Sequence, residues 1–107
     1  MKELKDRKVK VGRETWTIKF AAQNSTELEG NLGVSYLNNK IIYVSNEQSL
    51  DGIKQTLAHE LVHACLKESG WNDKISETLG DYYEIFVDNF ADKLCDLITV
   101  CNNVCSE

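Results

Sequence analysis

The hydrophobic residues of this chain change their spacing near its middle, and that change restricts the fold more than any other feature. Before residue 49, apolar and polar residues alternate over short runs, which is typical of strands with one buried face. After residue 49, apolar residues recur three and four positions apart, which indicates helices. The sequence therefore predicts an α+β fold in which a small, mostly antiparallel sheet is followed by two helices.

The first half is predicted to form two hairpins. Their alternating runs are residues 9–20, with a turn at 12–14, and residues 32–37 and 40–45. The second pair of runs is joined by Asn38 and Asn39, and asparagine tolerates the positive φ angles of a tight hairpin. Small and polar residues between the two hairpins predict a loop.

Two helices are predicted in the second half. The first begins after Ser49, which can cap it, and ends at Ser69–Gly70. Over residues 57–66 its apolar side chains lie on almost every side, so we expect this helix to be buried between other elements. The second and longer helix is predicted to begin at residue 72 or 73 and to continue to residue 98.

Length and charge exclude several classes of protein. The 107 residues predict one domain, spanning 1–107. No apolar run approaches the roughly 20 residues that span a bilayer, and the charged N-terminus lacks the apolar stretch of a signal peptide. We therefore expect a cytoplasmic protein without a membrane partner. The net charge of −5 would repel phosphate, so we expect no nucleic-acid partner.

The four cysteines lack the paired spacing of a zinc ribbon. In a reducing cytosol, cysteines at apolar positions of a helix usually serve as small hydrophobic residues, and we expect that role for them. A second small metal site at Cys101 and Cys105, which lie four residues apart, is the alternative.

The two histidines of the chain lie within five residues, in the motif His59-Glu60-Leu61-Val62-His63. Residues four apart share one helix face, so both imidazoles can reach one zinc ion, Zn²⁺, at about 2.0 to 2.1 Å each. Glu60 flanks that position without binding the metal. Its carboxylate can take a proton from a water that zinc activates and pass it to a leaving amine. The motif predicts metal-assisted hydrolysis.

A catalytic zinc site needs a third protein ligand, and with no further histidine it must be a carboxylate or a cysteine. Cys65 points away from the motif histidines. Glu77, near the start of the second helix, is the predicted ligand because that helix returns beside the end of the first, and Asp81 or Glu84 is the alternative. Asp81 is also predicted to accept a ring N–H of a ligand histidine. Acidic residues from Asp88 onward are expected to form a solvated face.

At this point the chain resembles a known group of enzymes. The motif followed by Glu77 and Asp81 resembles the zincin metallopeptidases whose third ligand is glutamate, the gluzincins. Residues 56–64, with Asn72-Asp73 after them, are similar to minimal metallopeptidases encoded by phages and prophages, relatives of the ImmA/IrrE group. The resemblance covers about residues 30–90. It implies a zinc-dependent peptidase fold, with Glu60 as catalytic base and with His59, His63 and Glu77 as ligands.

The predicted function is hydrolysis of peptide bonds in a peptide or protein substrate. We expect the substrate to pair in extended form along the strand Lys40–Ser45. An oxyanion-stabilising residue is also needed, and Tyr36, Tyr82 and Tyr83 are candidates by residue type. The alternative function is a zinc-binding regulatory or interaction module that keeps the fold without significant turnover. The sequence makes no prediction about the oligomeric state.

Overall fold

The strands of this protein come first in the chain and the helices follow, which confirms the predicted α+β class. The computed structural model describes residues 4–105, apart from the side chain of Thr99. The strands are β1 (Arg7–Val11), β2 (Glu14–Ala21), β3 (Gly33–Tyr36) and β4 (Ile41–Ser45), with a short 3-10 helix at Thr26–Leu28 between β2 and β3. The helices are α1 (Leu50–Glu68), α2 (Asn72–Leu79) and α3 (Tyr83–Cys105), with a 3-10 turn at Gly80–Tyr82 between the last two.

The four strands form one mixed sheet in the order β1-β2-β4-β3. Both hairpins are antiparallel, whereas β2 and β4 run parallel, with Ile18 opposite Ile42. Because β4 is paired on both sides, the segment Lys40–Ser45 offers no free edge, and the expectation that a substrate would pair with it is wrong. Among the described strands β3 pairs with β4 alone, so the accessible edge on that side belongs to β3.

The turn between β3 and β4 also differs from the prediction. It takes the four residues between the paired Tyr36 and Ile41, and its left-handed residue is Lys40, with φ of 58°, rather than Asn38 or Asn39. Four-residue hairpin loops are most often built on a type I turn, whose central residues keep negative φ angles. The asparagines therefore mark the turn without supplying its positive φ.

Helix α1 lies between the sheet and α3, as its apolar pattern predicts. On one side it packs against Trp16 and Val44 of the sheet. On the other side its Val62 packs against Val87 of α3. The predicted cap is confirmed, because Ser49 Oγ accepts a hydrogen bond from the Gly52 N–H at 3.0 Å. Burial on two sides holds α1 firmly and leaves a third side for the histidine motif.

The predicted long second helix is interrupted at Gly80. This residue has φ of 54° and ψ of −122°, a conformation that residues with a side chain adopt only under strain. Helix α2 therefore ends at Leu79, and α3 begins at Tyr83 as a separate helix. Helix α3 runs antiparallel to α1, since its Tyr83 contacts His63 while the later Asp88 contacts the earlier His59.

Three of the four cysteines, Cys65, Cys101 and Cys105, are free thiols on the surface of the protein. The expectation that they serve as small core residues is wrong for these three. Cys101 and Cys105 lie in the last turns of α3, where Leu97 and Ile98 are also exposed. In the described part of the chain, none of the helices combines the length and the apolar character that crossing a membrane requires.

Candidate metal centre

Two histidines and a glutamate converge where α1 faces the start of α3. The Nε2 atoms of His59 and His63 lie 3.2 Å apart. The Glu84 carboxylate places Oε2 at 2.9 Å from His59 Nε2 and Oε1 at 3.3 Å from His63 Nε2. The histidines share a face because they are four residues apart on α1, and the turn at Gly80 brings Glu84 to that face.

These three side chains fit a zinc ion. An ion bound tetrahedrally at about 2.0 to 2.2 Å holds its ligand atoms about 3.3 Å apart. The two Nε2 atoms lie 3.2 Å apart, and each lies 2.9 or 3.3 Å from one of the two oxygens of the Glu84 carboxylate, so these distances are close to that value. His59, His63 and Glu84 also form the metal-ligand group found among the described residues, with one ligand atom of each lying within 4.8 Å of the others. The site could therefore bind a metal ion.

Hydrogen bonds behind the two rings direct their Nε2 atoms toward this point. His59 Nδ1 donates to Asp88 Oδ1 at 2.7 Å, because a carboxylate can only accept. His63 Nδ1 lies 2.9 Å from the Tyr83 hydroxyl oxygen. Partners of this kind fix the orientation of a ligand histidine and make it a better donor to the metal.

The two histidines differ in their electrostatics. Burial lowers the pKa of His59, but the hydrogen bond to Asp88 and the charges of Glu60 and Glu84 outweigh it, so that its pKa is raised above the ordinary value. At His63 burial dominates and holds the pKa below the ordinary value. His63 is therefore the more readily neutral of the two, which is the state that a metal requires.

Glu60 is buried beside these three side chains but is not one of them. It is 6 % exposed, and its Oε1 accepts a hydrogen bond from Ser35 Oγ at 2.7 Å. Gly33, two residues earlier on β3, has no side chain to displace it, since a Cβ there would lie 3.1 Å from Glu60 Cγ and Oε2. Strand β3 therefore holds the Glu60 carboxylate through Ser35 and leaves space for it at Gly33.

Open space lies on both sides of the motif. A cavity of about 480 Å³ is lined by His59, Glu60 and His63, and also by Val34, Leu37, Asn72, Tyr83 and Glu84. A second cavity of about 320 Å³ lies toward Leu32, Gln55 and Thr56. Both cavities are lined by Gly33, His59 and Glu60. The two therefore meet at the motif, beside the edge strand β3.

The structure brings His59, His63 and Glu60 together as the motif predicts, but it places Glu84 rather than Glu77 beside the histidines. Glu77 is exposed on α2 and lies outside the group of ligand atoms. The physical reason is the break at Gly80, because the prediction assumed one continuous helix from residue 72 or 73.

The predicted outer partner also lies elsewhere. Asp81 is exposed in the 3-10 turn, and Asp88 instead accepts from His59, although it was expected on a solvated face. A signal for this pair exists in the sequence. Glu84 and Asp88 are four residues apart, as His59 and His63 are, so two antiparallel helices can match the pairs across their interface.

The three candidate tyrosines occupy different surroundings. The Tyr36 hydroxyl donates to the Glu27 carbonyl oxygen at 2.6 Å, and Tyr82 is 70 % exposed. Tyr83 lines the cavity of about 480 Å³, where its hydroxyl is hydrogen-bonded to His63 and Asn72. The sequence assigns no role in the site to Ser35 or Asn72, because neither residue type marks a metal site by itself.

A sheet packed on a helix with the HExxH motif, and a glutamate supplied by a following helix, define a zincin-like metallopeptidase fold. Residues 16–95 match the model of the M78 peptidases, described as an IrrE N-terminal-like domain, and the chain belongs to this family. The resemblance to the ImmA/IrrE group is thereby confirmed. Neither the curated proteins nor the solved structures give a match to this chain.

Proposed function

We propose that this chain is a zinc-dependent metallopeptidase that hydrolyses peptide bonds with Glu60 as general base. One observation carries the proposal. The ligand atoms of His59, His63 and Glu84 converge with separations of 2.9 to 3.3 Å at an open cavity, directly beside a buried carboxylate that is not part of the group. Membership in a peptidase family supports the same chemistry.

Under this proposal His59, His63 and Glu84 hold the metal. Two histidines and one glutamate are a known donor set of catalytic zinc, and three protein ligands leave room for substrate. A zinc ion held there supplies Lewis-acid chemistry, which polarises a peptide carbonyl and lowers the pKa of water. Asp88 and Tyr83 contribute by holding the two imidazole rings in place.

Glu60 is placed to move the proton. Its carboxylate takes a proton from the water whose oxygen attacks the carbonyl carbon, and then delivers that proton to the amine as the carbon–nitrogen bond breaks. Ser35 donates to Oε1, which leaves Oε2 as the oxygen for this transfer. Because Ser35 also fixes the carboxylate against β3, the base does not have to be ordered during the reaction.

The substrate proposed for this site is an extended segment of a peptide or protein that pairs with β3. An exposed strand edge can bind such a segment through main-chain hydrogen bonds, while cavities beside it receive side chains. Two cavities flank Glu60 next to β3, which supports this placement.

Replacing Glu60 with glutamine tests the proposal, because glutamine keeps the shape of the side chain but cannot accept the proton. We expect Glu60→Gln to retain zinc at the parent stoichiometry and to lose hydrolysis by about 100-fold or more. Metal analysis of the purified chains and cleavage of a peptide library measure the two effects. The exposed Glu77→Gln is the matched control and should behave as the parent.

Two results would count against the proposal. A Glu60→Gln chain that cleaves peptides at the parent rate would remove the assigned role of Glu60. A parent chain that binds zinc but cleaves no member of the library would instead favour a zinc-binding regulatory module.

A further inference from the structure

We propose that Asn72, acting through the Tyr83 hydroxyl, fixes the tautomer of His63 that leaves Nε2 free for a metal. This inference rests on the metal site of the proposed function. Asn72 is the first residue of α2 and Tyr83 the first of α3, so the contact joins both helices to the motif helix. Asn72 is a positioning residue, because it reaches the metal position only through Tyr83.

The contact is a chain of two hydrogen bonds. His63 Nδ1 lies 2.9 Å from the Tyr83 hydroxyl oxygen, which in turn lies 2.5 Å from Asn72 Oδ1. The amide nitrogen of Asn72 lies 3.4 Å from Asp73 Oδ1, which orients the amide oxygen toward Tyr83. The direction of every hydrogen bond in the chain follows from that orientation.

A tyrosine hydroxyl carries one proton, and Tyr83 donates it to the Asn72 oxygen. Toward His63 the hydroxyl can then only accept, so the proton of the neutral ring must lie on Nδ1. His63 Nε2 therefore presents a lone pair toward His59 Nε2, 3.2 Å away, and toward the Glu84 carboxylate.

His59 and His63 are controlled in different ways. The acceptor of His59 is the carboxylate of Asp88, which has no proton to give. The acceptor of His63 is the Tyr83 hydroxyl, which carries a proton and could also donate it to His63 Nδ1. Without Asn72 the Tyr83 hydroxyl is free to turn and donate to Nδ1, and the ring proton moves to Nε2, where it faces Glu84 Oε1 at 3.3 Å. That proton would occupy the position that a metal needs.

The burial of His63 makes its hydrogen-bond partner difficult to replace. The His63 side chain is 12 % exposed, so solvent water has little access to replace a lost partner at Nδ1. Since loss of such a partner typically weakens metal binding about 10- to 100-fold, we expect changes at Tyr83 or Asn72 to weaken zinc binding by that amount.

The direct test reads the tautomer of His63 in the metal-free full chain by long-range proton–nitrogen correlation spectra at about pH 8.5, well above the ordinary histidine pKa. We expect the parent to carry the proton on Nδ1. Tyr83→Phe should move it to Nε2, and Asn72→Ala should give a mixture of both tautomers. Asn72→Asp keeps an oxygen acceptor and should restore the parent spectrum, while His59 should keep its proton on Nδ1 throughout.

Zinc affinity, measured by competition with a chelator, is the second readout. We expect Tyr83→Phe and Asn72→Ala to bind about 10- to 100-fold more weakly, and Asn72→Asp to bind as the parent does. Tyr82→Phe, a change at an exposed neighbouring tyrosine, is the matched control and should leave the affinity unchanged.

A parent spectrum with the His63 proton on Nε2 would overturn the inference. So would a Tyr83→Phe chain whose tautomer and affinity equal those of the parent. If the spectra change as expected but the parent binds no zinc, the positioning of His63 stands and the proposed function fails.

Discussion

Glu60 and Glu84 have the same side chain but different surroundings, and the proposed function gives them different roles. Glu84 is 64 % exposed and its carboxylate meets both Nε2 atoms, so it is free to bind a cation. Glu60 is 6 % exposed and is held by Ser35 to one side of that point. At the residue scale, exposure and hydrogen bonding therefore suit Glu84 to binding a metal and Glu60 to the proton transfer of the proposed function.

A third glutamate, Glu68 at the end of α1, has a structural role. Its Oε2 accepts from Trp16 Nε1 at 2.6 Å and lies 3.1 Å from Lys40 Nζ. Burial raises the pKa of Glu68, but the hydrogen bonds from Trp16 and Lys40 outweigh it and lower the pKa below its ordinary value. Because the folded pKa lies below the unfolded one, the stabilisation is present above the ordinary glutamate pKa and is lost as pH falls through the folded value.

We therefore expect Glu68→Gln to reduce the free energy of unfolding at about pH 7, and to make a smaller difference at an acidic pH below the ordinary glutamate pKa, because protonation of the parent carboxyl removes the stabilisation as the pH falls. Urea unfolding in the presence of a chelator measures both. Glu77→Gln, at an exposed position, should change neither value. An equal loss of stability at both pH values would show that Glu68 acts through its shape rather than its charge.

His59, Glu60 and His63 could be predicted because their chemistry is contained in five consecutive positions of one helix. Glu84 could be offered only as an alternative to Glu77, because several carboxylates follow the motif at similar spacing and only the path of the backbone selects among them. Ser35 could not be predicted, since its contact with Glu60 depends on which strand lies at the edge of the sheet.

At the scale of elements, the break between α2 and α3 determines which carboxylate reaches the histidines. A glycine within an apolar helical pattern is a recognised warning of a break, and Gly80 was that signal. The apolar spacing alone predicts one continuous helix across Gly80, because the apolar residues on both sides of it keep the spacing of three and four. The order of the strands in the sheet could not be predicted either. Alternation of apolar and polar residues shows that a strand has one buried face, but it does not show which strands pair with each other.

Alanine at Gly80 should weaken both folding and metal binding. The backbone conformation at this position, φ of 54° and ψ of −122°, costs a residue with a side chain about 1–3 kcal/mol. Relief of that strain would redirect α3 and move Glu84 away from the histidines. We expect a lower melting temperature together with weaker zinc binding in a chelator competition.

Gly12→Ala is the control for strain alone. Gly12 also has a positive φ, 63°, but it lies in the β1–β2 turn, away from the metal site. We expect this variant to lose stability while keeping the zinc affinity of the parent. Equal zinc affinity in the Gly80→Ala and Gly12→Ala chains would mean that the break at Gly80 does not position Glu84.

At the scale of the whole molecule, α1 is a central element with chemistry on one side only. The sheet covers it through residues such as Trp16 and α3 covers it through Val87, which leaves the motif side facing the cavities. The α+β class and the central burial of α1 could be predicted, because each depends on hydrophobic spacing within a segment. The parallel pairing of β2 with β4 could not be predicted, because it depends on contacts between distant segments of the chain.

The central claim is that His59, His63 and Glu84 form a zinc site, and a chelator competition on two matched variants tests it most directly. Glu84→Gln and Glu77→Gln remove the same charge from helices on either side of Gly80. We expect Glu84→Gln to bind zinc at least about 100-fold more weakly than the parent, and Glu77→Gln to bind it equally well. Unchanged affinity in Glu84→Gln, or a comparable loss in Glu77→Gln, would contradict this assignment.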